Sequence, residues 1–224
     1  MKTVAFVPIK TNNERLPGKN TRPFSNGKPL ISYILETLSK VPEVDKAYVY
    51  CSDESVKEYL PDGIEFLKRD PFYDLQTTSF NEVLASFADI IDADIYVLTH
   101  ATAPFIKAET ISTAINKIKN EGYDSATAVL RKQDFVWKNN RPANYDPLHI
   151  PRTQDLEPFY IETCGLYVYK KHLMTEEKRR IGDNPYLVEV DNIEACDIND
   201  RADFEFADMI ACGMDALSGK GAAR

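Results

Sequence analysis

Apolar and polar residues alternate in blocks along the first 130 positions. Val4-Ala5-Phe6-Val7-Pro8-Ile9 is continuously apolar with polar flanks, the pattern of a strand buried on both faces. A loop rich in Pro, Gly and Asn runs from Lys10 to Lys28. From Pro29 to Leu38 apolar residues recur at helical spacing, and Pro29 suits a first helical turn. Strands are expected over Ala47–Cys51, Ile64–Leu67, Ile95–Thr99 and Ser125–Leu130, with a short polar helix over Glu54–Leu60. Ser79 and Glu82 fit a capping box that opens a helix to about Ile91, and a further helix spans about Lys107–Asn120. Such alternation predicts parallel βαβ units: an α/β fold with a mostly parallel central sheet and helices on both faces. Ligands of such sheets bind at the carboxyl ends of the strands.

From about Gln133 to Pro158 the periodicity stops. That stretch is rich in Asn, Pro, Arg and aromatic residues, among them Phe135, Trp137 and Tyr145. A loop so long is seldom free in a compact domain. Its composition predicts an arm, about residues 133–160, that packs on a second copy of the chain; a loose insertion is the alternative. Strands over Gly165–Tyr169 and Tyr186–Val190, a helix over Ala202–Leu217 and a frayed tail from Ser218 complete the expectation. Residues 1–224 read as one domain.

Composition narrows this little. With 224 residues and 43% hydrophobic content, the chain can bury roughly 70% of its unfolded surface and needs no disulfide or metal to fold. Four widely separated cysteines (Cys51, Cys164, Cys196, Cys212) form no CxxC pair and read as reduced thiols, Cys51 and Cys164 as buried ones beside strands. The N-terminal apolar run is too short for a signal-peptide core, and no stretch approaches the ~18 apolar residues of a membrane span, so the cytoplasm is the expected compartment.

Charge changes the picture more. The net charge of −8 argues against nucleic acid or an anionic membrane as the main partner. Yet residues 1–30 hold six basic groups and one acidic group, a net of +5, which leaves −13 for the remainder. Three of those cations (Lys10, Arg15, Lys19) stand with Gly18 and small polar residues directly after the first strand. Backbone N–H groups at close approach with Lys or Arg to balance charge are what a polyphosphate requires. The loop is neither GxxxxGK[ST] nor GxGxxG. A solvated basic loop is the plainer alternative.

The wording of this loop resembles the signature of the acylneuraminate cytidylyltransferase family. Pro8-Ile9-Lys10 stands where that family has Pro-Ala-Arg, followed by Arg15-Leu16-Pro17-Gly18-Lys19-Asn20 and Gly27-Lys28-Pro29-Leu30-Ile31. The resemblance continues through Ser52-Asp53, Arg69 with Thr77-Thr78-Ser79, Leu98-Thr99-His100-Ala101-Thr102-Ala103-Pro104, Arg152-Thr153-Gln154-Asp155-Leu156, Glu162-Thr163-Cys164-Gly165-Leu166-Tyr167 and Asp197-Ile198-Asn199.

The resemblance implies a Rossmann-like nucleotidyltransferase fold of GT-A type and a homodimer. It implies CTP and an acidic nine-carbon keto sugar as substrates, with the sugar's anomeric hydroxyl attacking the α-phosphorus and pyrophosphate leaving. Lys19, Arg15 and Asp197 would serve catalysis; Lys10, Asn20, Arg69 and Ser79 would hold the nucleotide, with Arg69 on cytosine or ribose. His100, Arg152, Gln154, Thr163 and Tyr167 align with the sugar-proximal region. Mg²⁺ would lie on Asp197 and Asn199, the latter standing where the family has a second aspartate. Lys10 replaces an arginine, trading a bidentate fork for a point charge. His100 replaces a glutamine; it could donate to the sugar carboxylate, tune the pH response near neutrality, or merely end a strand. Plainer roles compete elsewhere: a surface lysine for Lys19, a turn residue for Asp197, a helix cap for Ser79. Two rival functions are transfer of a different nucleotide to a different acceptor, and nucleotide binding without catalysis.

Overall fold

The computed structural model describes residues 1–219. Seven strands among them form one sheet in the order β3-β2-β1-β4-β8-β5-β9. They are β1 (Thr3–Ile9), β2 (Lys46–Cys51), β3 (Ile64–Lys68), β4 (Ile95–Thr99), β5 (Ser125–Lys132), β8 (Phe159–Lys170) and β9 (Pro185–Glu189). Pairing is parallel throughout except for β8, which runs antiparallel to both β4 and β5. The mostly parallel sheet expected from the blocks is therefore present, with one reversed strand.

Helices cover both faces. On one, α1 (Leu30–Leu38) and α3 (Ala108–Asn120) set Ile31, Ile34, Ile111 and Ile115 against Ala5, Val7 and Val97. On the other, α2 (Phe80–Ile90) and α4 (Lys171–Thr175) pack Leu84, Phe87 and Leu173 on Phe6, Tyr96 and Tyr169. Continuous burial of Val4–Val7 explains the unbroken apolar run, since both faces of β1 are covered. The Ser79–Glu82 capping box forms as expected, and Asp200 and Asp203 make a second one at the head of α5 (Arg201–Leu217). Glu54–Tyr59 is a 3-10 segment instead of the expected α-helix; it buries only Val56, too little to carry a longer helix.

α5 returns to the start of the chain. Its Phe204, Ala207 and Ala211 join Leu16, Phe24, Leu30 and Phe105 in a third cluster, with the Phe24 and Phe204 rings 4.9 Å apart. The N-terminal loop is thereby clamped at the carboxyl ends of the strands. The crevice lies where β1 has β2 on one side and β4 on the other, the point at which strand order reverses.

The expected strand over Gly165–Tyr169 is longer than its pattern indicated. β8 carries a bulge: Thr127 opposes Tyr167, but Val129 opposes Glu162 where continued register would place Gly165. The irregularity breaks the alternation on which a sequence reading depends. It also turns Cys164 outward with φ +57°, so this cysteine is exposed, contrary to the expectation of a buried one; Cys51 is buried and no disulfide joins the four cysteines. Gly165 sits where the turn after β4 crosses β8: a Cβ there would lie 3.0 Å from Ala103 Cβ and 3.2 Å from Ile106 Cγ1.

Residues 133–158 contain no helix beyond a 3-10 turn at Thr153–Asp155. A small hairpin of β6 (Trp137–Lys138) and β7 (Arg141–Pro142) turns through Asn139 and Asn140, both left-handed at φ 53° and 58°, as a type I′ turn requires. Trp137, Leu148 and Ile150 lie largely exposed along this segment. The tail expected from Ser218 falls, beyond Gly219, outside the described residues. Among those residues no helix is long and apolar enough to cross a membrane.

Replacing Gly165 by Ala is expected to cost about 1–3 kcal/mol by forcing the 101–106 turn off β8. Urea unfolding checks this; an unchanged midpoint would show that the turn yields freely.

Candidate active site

Three of the six N-terminal cations converge. Lys10, Arg15 and Lys19 line a cleft of about 200 Å³ with Asn12, Asn13, Gln76 and Asn199, at the carboxyl end of β1. Of the other three, Lys28 pairs with Glu36 and Arg22 lies over the Phe204 ring, while Lys2 precedes β1 at its opposite end. Gly18 (φ +67°) makes the turn that sends Lys19 inward.

Lys19 is buried, 8% exposed, and its Nζ donates to the Ile198 carbonyl at 2.7 Å. Burial lowers its pKa, the nearby Asp197 carboxylate opposes that shift, Arg15 adds to it and Asp203 again opposes it. A surface lysine is thus excluded. Arg15 Nη2 donates to Asn199 Oδ1 at 3.0 Å, while Asn199 Nδ2 donates to Asp197 Oδ2 at 2.8 Å. The Asn199 amide therefore bridges a cation and an anion, with its two ends matched to each. Asn20 donates to the Lys10 carbonyl at 3.0 Å, and the Oδ1 atoms of Asn13 and Asn20 are buried without a partner. Buried orphan acceptors in an anion cleft fit ligand hydroxyl donors such as those of a ribose.

For a divalent cation the chain offers little protein ligation. No cluster of three His, Cys, Asp or Glu side chains exists among the described residues. Asp197 Oδ1 accepts no hydrogen bond there, while Asp203 Oδ2 accepts from the backbone N–H groups of Asn199 and Asp200. One available carboxylate oxygen beside an amide carbonyl fits Mg²⁺, which is commonly held by one or two carboxylates with phosphate oxygens and water.

Arg69 takes a different position from the one anticipated. It is 3% exposed, donating to the carbonyls of Tyr50 and Ile9 and to Asp74 at 2.5 Å. Asp74 in turn accepts from Ser52. Arg69 ties the ends of β1 and β2 to the 71–74 turn; only its Nε is left without a partner. The Ser79 hydroxyl is used in the capping box, accepting from Glu82 N and donating to its carboxylate.

At the end of β4, the His100 ring packs tilted against Phe80 with ring centroids 5.4 Å apart, and its side chain makes no hydrogen bond among the described residues. Burial, then the charges of Arg180 and Lys19, push its pKa down to about 4. It is neutral at pH 7 and does not titrate near neutrality. Tyr167 is buried, donates to Glu162 and accepts from Arg180. Thr163 is also buried and donates to the Ala128 carbonyl at 3.1 Å, a bond that secures the bulge. Arg152 and Gln154 do not join this group: Arg152 is exposed and paired with Asp155, and Gln154 lies on the same outer turn. Sequence reasoning missed Arg180 and Asp74, which reach the site through tertiary contacts with no local pattern.

An α/β sheet with a cationic cleft at its strand-order reversal has the architecture and charge that suit a phosphorylated ligand. The cytidylyltransferase family model matches residues 4–194, and the chain belongs to that family. It is 24% identical over 192 residues to N-acylneuraminate cytidylyltransferase A of Danio rerio, covering 81% of this chain and 44% of that protein. To the pseudaminic acid cytidylyltransferase of Campylobacter jejuni it is 24% identical, covering 94% of this chain and 96% of that protein. The chain spans about half the length of the first curated relatives it matches. A solved CMP:2-keto-3-deoxy-manno-octonic acid synthetase complexed with CTP superposes with a TM-score of 0.69 at 17% identity, over 96% of this chain and 100% of that one, a likeness of fold.

The surroundings of His100 set a pH dependence. Between pH 6.5 and about 4 the unfolded chain binds a proton that native His100 refuses, so stability falls as pH drops through that window, by up to roughly 3 kcal/mol. His100→Gln is expected to make the loss between pH 7 and 4 shallower by about that amount in urea unfolding. Equal slopes would place a protonated histidine in the native state.

Proposed function

We propose that this chain is a cytidylyltransferase that couples CTP to a nonulosonic, acylneuraminate-type sugar acid. The observation that carries the reading is the convergence of Lys10, Arg15 and Lys19 on one cleft beside Asp197 and Asn199, in a chain of this family. The anomeric oxygen attacks the α-phosphorus, the α–β phosphoanhydride bond breaks, pyrophosphate leaves and the hydroxyl proton passes to solvent. Charge accumulates on the departing pyrophosphate, and the cations of the cleft stabilise it there. Lys19 serves this best because its ammonium is already desolvated and fixed by the Ile198 carbonyl, so little reorganisation is needed. Arg15 neutralises the outer phosphates, and Asn13 and Asn20 receive ribose hydroxyls. Mg²⁺, when bound, would neutralise phosphate charge, with Asp197 and the Asn199 carbonyl as its protein ligands; Asn199 then exchanges its bond to Arg15 for the cation.

The exposed side chains of the 133–160 arm, Trp137, Leu148 and Ile150, support a homodimer in which the arm packs on a second copy. In such a dimer Arg152 and Gln154 could face the partner's site. Four cysteines not joined by a disulfide support a reducing cytoplasm as the place of action. A second acceptor class, the eight-carbon 3-deoxy-octulosonic acids, follows from relatives and a structural neighbour named for that substrate.

Pyrophosphate release with Mg²⁺, each of the four NTPs and a panel of eight- and nine-carbon keto acids tests the reading. Turnover with CTP and a nine-carbon acid is expected. Turnover only with another NTP, or nucleotide binding without turnover, would overturn it.

Lys19→Ala is expected to lower kcat by ~10²–10³-fold, with melting curves showing a folded protein. Near wild-type turnover would remove Lys19 from the chemistry. Asn199→Asp is expected to lower the Mg²⁺ concentration for half-maximal rate, since a second carboxylate joins Asp197; an unchanged requirement would remove position 199 from the metal site.

A further inference from the structure

Between α4 and β9 the chain crosses residues 176–184, a polar link with no motif. Its backbone is nevertheless pinned on both sides of Arg180. The Arg179 N–H donates to the Leu173 carbonyl at 2.9 Å, and the Arg179 side chain pairs with Glu177 and Asp183. Beyond, Gly182 N donates to Ser125 Oγ at 2.8 Å, and Asp183 N and Asn184 N both donate to Asp124 Oδ2 at 2.9 Å. A Cβ at Gly182 would lie 2.3 Å from the Asp124 carboxyl carbon, so the link is pressed close against the start of β5.

This anchoring aims Arg180 across the sheet toward the carboxyl end of β4. Its guanidinium carbon lies 3.8 Å from the Tyr167 ring centroid and 5.5 Å from that of Phe80. Nη2 donates to the Tyr167 hydroxyl at 3.1 Å and stands 3.6 Å from Glu162 Oε1. The side chain is 25% exposed, and its Nε and Nη1 donors meet no acceptor among the described residues. Arg180 borders a hollow of about 460 Å³ lined also by Ser79, Phe80, Asn81, Arg179 and Ile181. His100, which packs against Phe80, feels the charges of both Arg180 and Lys19. The charges of two cations, Lys19 in the cleft after β1 and Arg180 on the link after α4, thus both reach one neutral histidine.

We propose that Arg180 reads the C1 carboxylate of the acceptor, a specificity role that rests on the cytidylyltransferase reading above. A guanidinium held over an aromatic ring keeps its remaining N–H donors for an oxyanion, and a carboxylate accepts such charge-assisted bonds. One arginine, partly offset by Glu162, suits a single negative charge and not a phosphate dianion. The acceptor then lies between its carboxylate at Arg180 and the reacting hydroxyl beside the CTP phosphates. Arg180 is absent from the motifs that identify the family in this chain.

The test uses the full chain with CTP, Mg²⁺ and four acceptors, N-acetylneuraminic, legionaminic, pseudaminic and 3-deoxy-octulosonic acids, each as the free acid and as its C1 methyl ester. In the wild type the preferred acid is expected to exceed its ester in kcat/KM by at least about 30-fold, which needs no variant. Arg180→Met is expected to raise KM for the acid about 100-fold and abolish the preference over the ester, with KM for CTP within about threefold; Arg180→Lys restores part of the loss. An Arg180→Met enzyme that keeps the acid preference, one in which KM for CTP rises in parallel, or a wild type indifferent to esterification would overturn the role of Arg180 while leaving CTP turnover intact. Failure of the wild type to turn over CTP with any acceptor would overturn the underlying reading, and this role with it.

Discussion

A buried ammonium governs the architecture of the site. Lys19 is carried on a loop that leaves the first strand, and it can be buried only because Ile198 and Asp197, some 180 positions later, supply a carbonyl and a counter-charge. Desolvating a lysine without such partners would cost several kcal/mol. The aromatic cluster of Phe24, Phe105 and Phe204 lies in the same region and docks α5 on the loop. Loop, closing segment and last helix are therefore one unit, and the cationic wall exists only when the two ends of the domain have met. The same dependence explains why Asn199 bridges Arg15 to Asp197: it keeps an exposed cation and a carboxylate in register across the seam.

Opposite this wall stands a surface of different origin. It is built on β8, the one reversed strand of the sheet, and on the link after α4. The bulge at Thr163–Leu166 releases β8 from regular register, lets the 101–106 turn approach Gly165, and presents Tyr167 and Glu162 to Arg180. His100 feels the charges of both surfaces and stays neutral, chiefly because it is buried and further because Arg180 and Lys19 oppose a positive charge there. A neutral imidazole can donate or accept without altering the charge balance of the cleft, a property suited to a site proposed to receive a triphosphate and a carboxylate together.

The helices and most strands were legible because their determinants are local. The Ser79–Glu82 box, the apolar period from Leu30 to Leu38 and the unbroken run from Val4 to Val7 each state their structure within a few residues. Lys10, Arg15 and Lys19 were legible as a group because they share one loop. Arg69 was located but not understood: a sequence shows an arginine near the site, whereas its burial against the Tyr50 and Ile9 carbonyls depends on β1 and β2 lying side by side. Cys164 and the full extent of β8 escaped because a bulge erases the period of two. Arg152 and Gln154 share a recognisable segment with the arm, yet within one chain they stand apart from the cleft.

By itself, then, the sequence determined the α/β alternation, the anion loop and the family, since each is written in contiguous residues whose chemistry needs no distant partner. Only the tertiary structure decided which three of six N-terminal cations face the cleft, that Lys19 is buried, that Asn199 is a bridge, and that Arg180 lies over Tyr167. Those outcomes depend on contacts between segments far apart in the chain, where burial and pairing choose among charges that a linear reading counts as equal.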